Sequence, residues 1–100
     1  MVTKVDFGAD RQMDLSDLDA EVGRLIHRAD RAKPPLKILY ESEIDSLLGK
    51  SKQARNALEH LRLAGEDTWK SKAAQVDKAL QDFEAAVGAA KSRLRSTEAA

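Results

Sequence analysis

The chain has 100 residues, of which 34% are charged and only 4% aromatic, and its formal net charge is zero. This length allows one small domain, and the balanced charge gives no overall attraction to nucleic acid or membranes. With no cysteine, the chain forms no disulfides and has no thiolate chemistry. Since nothing resembles a signal peptide and no apolar run approaches the roughly 20 residues of a membrane span, we expect a cytoplasmic protein.

Residues 1–13 are predicted to form a flexible N-terminal arm, because their few apolar side chains have no predicted partner strand. The first helix is predicted over about 14–32, where Asp14 can cap the first amides. Its apolar residues recur at alternating spacings of three and four, which define a heptad seam. The predicted self-association seam consists of Leu15, Leu18, Val22, Leu25, Leu36 and Leu39.

Two consecutive prolines, Pro34 and Pro35, interrupt the helical pattern after this first helix. Each proline disfavours helical geometry in the residue before it, so we expect Lys33 and Pro34 to lie outside the helices. Pro35 suits the first turn of the next helix. Because the apolar spacing continues through the prolines without losing phase, the sequence predicts a bend here and no domain boundary.

The second and third helices are predicted over about 35–64 and 67–95, with Gly65 in a left-handed C′ position between them. Such a short connection makes the two helices antiparallel neighbours with matched heptad seams. The predicted seam pairs are Leu61 with Trp69, Leu58 with Ala73, Ala54 with Val76, Ser51 with Leu80, Leu47 with Phe83, Ile44 with Val87, and Tyr40 with Ala90. The predicted fold is all-α, with one coiled-coil or bundle domain over 14–95 and a flexible tail over 96–100.

The sequence leaves open whether the first helix folds back on this hairpin or pairs with another protomer. Continuity of the heptad through the prolines favours pairing between protomers. So does charge, since residues 1–21 are mainly acidic and residues 22–37 mainly basic, and two such helices laid antiparallel would be complementary. The alternative is that these charges only complement the helix dipole. We expect a homo-oligomer, a dimer or a tetramer, that can also dock other amphipathic helices.

The stretch from Gly65 to Leu94 contains the turn GEDTW, the segment VDKALQDF over 76–83 and the ending AKSRL. In these features it resembles a group of small bacterial coiled-coil proteins of uncharacterised function, which carry a similar Gly-Glu/Asp-x-Trp turn and helix. The resemblance implies a cytoplasmic coiled-coil protein and supplies no catalytic residues. The diproline departs from the uninterrupted first helix expected of that group.

The sequence contains no pattern that predicts catalysis, a metal site or a cofactor, and we expect no small-molecule substrate. His27 and His60 are read as surface residues, and Glu41 with Asp45, four apart, as a solvated face, although such a pair can form a weak divalent site. One charge feature stands out at the open end of the hairpin. A predicted anion-binding cluster there comprises Arg28, Arg31, Lys33, Lys37, Lys91, Arg93 and Arg95.

These features favour a non-enzymatic structural or interaction protein, a small self-associating helical module. An alternative is an amphipathic protein that binds anionic lipid or storage-granule surfaces, in the manner of phasin-like proteins, since the third helix has an alanine-rich flank. A weaker alternative is nonspecific nucleic-acid binding through the basic cluster. That cluster has no interleaved aromatic residues, so base stacking is not indicated.

Overall fold

The protein is described by a computed structural model that covers residues 2–99, and their side chains from 2 to 97. Three helices make up almost all of this range: α1 (Lys4–Arg31), α2 (Pro34–Leu63) and α3 (Trp69–Ala99). The predicted all-α fold and the α2–α3 hairpin are confirmed. The bundle measures 52 × 18 × 16 Å with a radius of gyration of 15.9 Å, against about 13 Å for a compact domain of this length. Its grooves between helices are therefore long.

The predicted N-terminal arm is wrong for residues 4–13, which are the first part of α1. The helix begins where the backbone N–H of Asp6 donates to the hydroxyl of Thr3 at 3.1 Å, which makes Thr3 the N-cap. Phe7 then packs against Trp69, with ring centroids 6.1 Å apart. Because this segment is capped by Thr3 and packed against Trp69, it is an ordered part of the helix. Met1 of the predicted arm lies outside the described residues.

The two connections differ in detail from the sequence predictions. At the diproline, Ala32 and Lys33 are extended, and Pro34 is the first residue of α2. Proline is well tolerated at this position because the first N–H groups of a helix have no helical hydrogen-bond partner, so nothing is lost when proline lacks one. After α2, the C-cap is Ala64 in an extended conformation, and no glycine among the described residues has a positive φ. Gly65 is therefore not the predicted left-handed cap.

The predicted flexible tail is also corrected, since α3 continues through residues 96–99. The Thr97 hydroxyl donates to the backbone carbonyl of Arg93 at 3.0 Å, one turn earlier in the helix. Nothing in residues 91–99 breaks a helix, because the stretch contains no glycine or proline. Ala100 of the predicted tail lies outside the described residues.

The diproline joint reverses the chain, so α1 folds back along α2. Lys4 near the start of α1 donates to the carbonyl of Ala64 at 2.8 Å, at the end of α2, and Asp19 accepts from Ser51 at 2.7 Å. These two contacts fix an antiparallel register between α1 and α2. Helix α1 also packs on α3, so the three helices form an up-down-up bundle within one chain.

This fold corrects the predicted self-association seam. Its residues are used within the single chain: Leu15, Val22 and Leu25 are buried in the core, Leu18 and Leu36 pack partly buried against it, and Leu39 is 46% exposed. The physical reason lies in the hairpin. Its seams contain alanine and serine, so two helices alone bury little apolar surface, and α1 supplies the missing third side of the core.

The core runs the length of the bundle. The seam residues of α2 and α3 that the heptads predicted are buried, with the exception of Ala73, which is partly buried. Ser51 is the one polar residue in the described core, at 2% exposure, and its hydroxyl donates to Asp19. A buried hydroxyl needs such a partner, so the Ser51–Asp19 bond also helps to fix the register of α1.

Candidate functional site

The groove between α1 and α3 begins with a cluster that fastens the N-terminal ends of these helices. The guanidinium of Arg11 lies over the ring of Phe7, with Cζ 4.4 Å from its centroid, and Phe7 in turn packs on Trp69. The Nε of Arg11 donates to Asp77 at 2.7 Å, and this bond raises the pKa of Arg11 above its ordinary value. The cluster joins residues 62 to 66 positions apart in the chain and holds the two parallel helices in register.

Beyond this cluster the groove opens into an acidic cleft of about 530 Å³. We define the acidic cleft by its lining residues Arg11, Asp14, Asp17, Leu18, Asp77, Leu80, Gln81 and Glu84. Four of these eight are carboxylates and one is a cation, already bonded to Asp77. Like charges on neighbouring helices repel one another, so the cleft holds negative charge that the chain itself leaves largely uncompensated.

Glu21 marks the point where the sign of the charge changes along the groove. It accepts from Lys91 of α3 at 3.0 Å and forms a second ion pair with Arg24 on its own helix. The bond from Lys91, together with the charge of Arg24, lowers the pKa of Glu21 below its ordinary value. Glu21 is therefore held between two cations, Arg24 and Lys91.

The next section of the same groove is a basic cleft of about 390 Å³. It is lined by Glu21, Arg24, Leu25, Arg28, Lys91, Leu94 and Arg95. Four cations surround one carboxylate, which is the reverse of the acidic cleft. The α1–α3 groove is thus polarised, with negative charge toward the start of α1 and positive charge toward its end.

The predicted anion-binding cluster is divided by the structure. Lys91 and Arg93 are paired with Glu21 and Glu43, and Arg28 and Arg95 line the basic cleft. The remaining three, Arg31, Lys33 and Lys37, lie at the diproline joint, and their side chains form no hydrogen bond or ion pair among the described residues. The seven cations therefore belong to one end of the bundle, but they do not form one site.

Sequence reasoning missed the acidic cleft and Arg24. The sequence does contain a pattern of charges, at positions that flank the heptad seams and recur every seven residues. On α1 these are Asp14, Glu21 and Arg28, and on α3 they are Asp77, Glu84 and Lys91. Both series change from acid to base in the same direction. Parallel packing of α1 and α3 brings them together, and that arrangement was not evident before the fold was known.

A second groove, between α1 and α2, is more apolar and has a volume of about 580 Å³. Its lining includes Val5, Gly8, Leu58 and Leu61, with charged side chains at the rim. A Cβ added at Gly8 would lie 3.7 Å from Cδ2 of Leu61, so this glycine leaves a small gap in the packing of α1 on α2. The rim cations are engaged within the chain; Arg62, for example, bonds Glu59 and lowers the pKa of that carboxyl.

Among the described residues, no three His, Cys, Asp or Glu side chains come close enough to hold a metal ion. His27, His60, Glu41 and Asp45 are all exposed. No helix in the described part of the chain is long and apolar enough to cross a membrane.

No family model, curated protein or solved structure matches this chain. The similarity of residues 65–94 to small bacterial coiled-coil proteins stays a prediction.

Proposed function

We propose that this protein is a non-enzymatic, cytoplasmic interaction module that self-associates through its α1–α3 groove as a two-fold symmetric dimer. The observation that carries the proposal is the reversal of charge along that one groove. Each protomer presents an acidic cleft and a basic cleft side by side. A second copy in antiparallel orientation presents the complementary order.

Symmetry makes this contact self-complementary. Asp14 and Arg28 are 14 residues apart on α1, which is about 21 Å along the helix. A two-fold axis level with Glu21 lies midway between them. It places each acidic cleft against the basic cleft of the partner, in the isologous arrangement that most homodimers use.

The electrostatic reason for association is the crowding of like charges within each protomer. The carboxylates of the acidic cleft and the cations of the basic cleft repel their neighbours, and a partner of opposite charge relieves both repulsions. Exposed ion pairs contribute only about 0.2–1 kcal/mol each, so several must act together. Association should therefore weaken as salt screens these charges.

Charge exchange between the two clefts tests the proposal. An acidic variant carries Arg28→Glu and Arg95→Glu, and a basic variant carries Asp17→Lys and Glu84→Lys. All four side chains are exposed and form no hydrogen bond or ion pair among the described residues, so the fold should be retained. Each variant has two clefts of the same sign and should repel its own copies. An equimolar mixture restores complementary charge at both contacts.

The readout is the mass in solution from light scattering coupled to gel filtration, at low and at high salt. We expect a dimer for the wild type at low salt, monomers for each variant alone, and a heterodimer for the mixture. The control variant, Lys52→Glu with Lys78→Glu, has the net charge of the acidic variant but alters exposed positions outside the clefts, and it should remain dimeric. A wild-type monomer at every salt concentration, or a mixture that stays monomeric, would refute the proposal.

A further inference from the structure

The diproline end of the bundle combines an excess of cations with exposed apolar side chains. It is basic, because residues 24–40 and 91–97 hold eight Arg and Lys and one acid, Asp30. Three of these cations pair with Glu21 or Glu43, which leaves five with no carboxylate partner among the described residues. The diproline end also exposes apolar side chains, since Ile38 is 67% and Leu39 46% accessible. We define the basic tip as Arg31, Lys33, Pro34, Pro35, Lys37 and Ile38.

The opposite end of the bundle is the internal comparison. It exposes apolar side chains as well, with Leu63 71% and Val5 75% accessible. Its charges nearly cancel, because residues 2–15 and 52–80 hold eight Arg and Lys against seven Asp and Glu. The opposite end therefore has exposed apolar residues as the basic tip does, but it lacks the excess of cations.

The backbone of the tip explains why these side chains project. The joint is only two residues long, Ala32 and Lys33, both extended, and α2 starts directly at Pro34. The two prolines and Ile38 lie within the first two turns of α2. Pro34 and Pro35 are exposed, so an apolar ridge stands at the very end of the bundle with Lys33 and Arg31 beside it.

We propose that the basic tip docks on an anionic lipid bilayer, with the cations among the headgroups and Ile38 with the prolines at the level of the interface. Lys and Arg near an anionic membrane surface each strengthen binding by about fivefold. An exposed isoleucine strengthens binding when it is buried at the boundary between headgroups and acyl chains, but it adds no binding free energy against a phosphate backbone in water. This apolar component makes a bilayer a better match than a nucleic acid for the same cations.

Docking through the tip is separate from dimerisation through the groove. Arg31, Lys33, Lys37 and Ile38 do not line either cleft. Variants of the tip should keep the oligomeric mass of the wild type. Failure of the dimer proposal therefore leaves this proposal intact, and failure of docking leaves the dimer intact.

Flotation with vesicles of phosphatidylcholine and about 30% phosphatidylserine tests the proposal on the full chain at low salt. Binding of the wild type should disappear on vesicles of phosphatidylcholine alone. The variant Lys33→Gln with Lys37→Gln should bind roughly 25-fold more weakly, and Ile38→Ser about tenfold more weakly. The control Leu63→Ser removes an equally exposed apolar side chain at the opposite end and should bind as the wild type does.

Circular dichroism should show that all variants are as helical as the wild type, which is expected because each replaced side chain lies outside the described core. Absence of binding to the anionic vesicles would overturn the proposal. So would a loss of binding in Leu63→Ser as large as that in Ile38→Ser. Binding to a short DNA duplex that depends on Lys33 and Lys37 but not on Ile38, without binding to vesicles, would also overturn it and assign the cations to a nucleic acid.

Discussion

The Asp19–Ser51 contact gives the most direct energetic test of how α1 sits on α2. Asp19 accepts from the Ser51 hydroxyl at 2.7 Å through Oδ1, and from Arg55 through Oδ2. Ser51 is 2% exposed, so its hydroxyl cannot turn to water when the acceptor is removed. The replacement Asp19→Ala therefore leaves the buried hydroxyl of Ser51 without its acceptor.

The cost follows from three contributions. Loss of a hydrogen bond to a charged group costs about 1.5–3 kcal/mol, and Ser51 recovers part of this by bonding a backbone carbonyl one turn earlier. The ion pair to Arg55, whose side chain is 61% exposed, contributes at most about 1 kcal/mol. Alanine gains about 0.5 kcal/mol of helix propensity over aspartate. We expect Asp19→Ala to lower the free energy of unfolding by about 1–2 kcal/mol.

A double-mutant cycle isolates the contact. Urea unfolding at 25 °C and neutral pH is compared for wild type, Asp19→Ala, Ser51→Ala and the double variant, in enough salt to keep the protein monomeric. Since each single change removes the same bond, the double variant should lose about 1 kcal/mol less unfolding free energy than the sum of the two single losses. Asp45→Ala is the control, because this exposed carboxylate forms no bond among the described residues and has the same gain in propensity. Additive effects would refute the register assigned to α1.

Three further predictions concern the packing and charge of the bundle. Gly8→Ala should raise the free energy of unfolding by about 0.5–1 kcal/mol, because alanine loses less backbone entropy than glycine in a helix. The added Cβ would lie 3.7 Å from Leu61, which is an ordinary van der Waals contact. Urea unfolding midpoints measure the change. Phe83→Ala, at a fully buried position, should lower the free energy of unfolding by about 3–5 kcal/mol in the same assay. Glu21→Gln should destabilise at neutral pH. Because the pKa of Glu21 is lowered in the fold, this difference should vanish as pH falls from the ordinary carboxyl range through that lowered pKa.

Each of these three has an outcome that contradicts it. A loss of stability in Gly8→Ala would mean that the first turns of α1 are not helical against α2. For Phe83, the control is Leu63→Ala, which should change stability by less than about 0.5 kcal/mol because Leu63 is 71% exposed. For Glu21, a Gln variant whose stability differs from the wild type by the same amount at every pH would show that Lys91 does not favour the ionised carboxylate.

The sequence predicted the α2–α3 hairpin well, because its heptads are long and uninterrupted. Apolar residues at alternating spacings of three and four can bury themselves only as a helical seam, and the predicted seam residues are indeed in the core. The diproline joint was misplaced by one residue. The rule that a residue before proline avoids helical geometry was applied to Pro34, but the first position of a helix tolerates it.

The start of α1 could have been predicted better from local signals. Thr3 is followed three residues later by Asp6, a pattern typical of a capped helix start, and Phe7, Arg11 and Leu18 continue the helical spacing toward α3. The role of α1 was harder. Its seam is as compatible with a second protomer as with its own hairpin, because heptads specify that a helix packs but not on which partner.

The polarised groove could not be predicted as a site, although its charges were visible. The sequence shows the change from acidic to basic along α1, but it places Lys91, Arg93 and Arg95 of α3 in the predicted anion-binding cluster and does not show that α3 repeats the pattern of α1. What joins the two series is the parallel packing of α1 and α3. This arrangement depends on the reversal at Ala32 and Lys33, which is a property of the whole fold.

The central claim is that α1 closes the bundle within its own chain and thereby builds the α1–α3 groove. The contact between Phe7 and Trp69, with ring centroids 6.1 Å apart, is its most direct reporter, because Trp69 is the only tryptophan. Isotope-filtered NOE spectra of a refolded equimolar mixture of labelled and unlabelled protein separate contacts within a chain from contacts between chains. We predict Phe7–Trp69 NOEs within the chain and none in the filtered spectrum. NOEs between labelled and unlabelled chains would show that α1 packs on another protomer and would contradict the account.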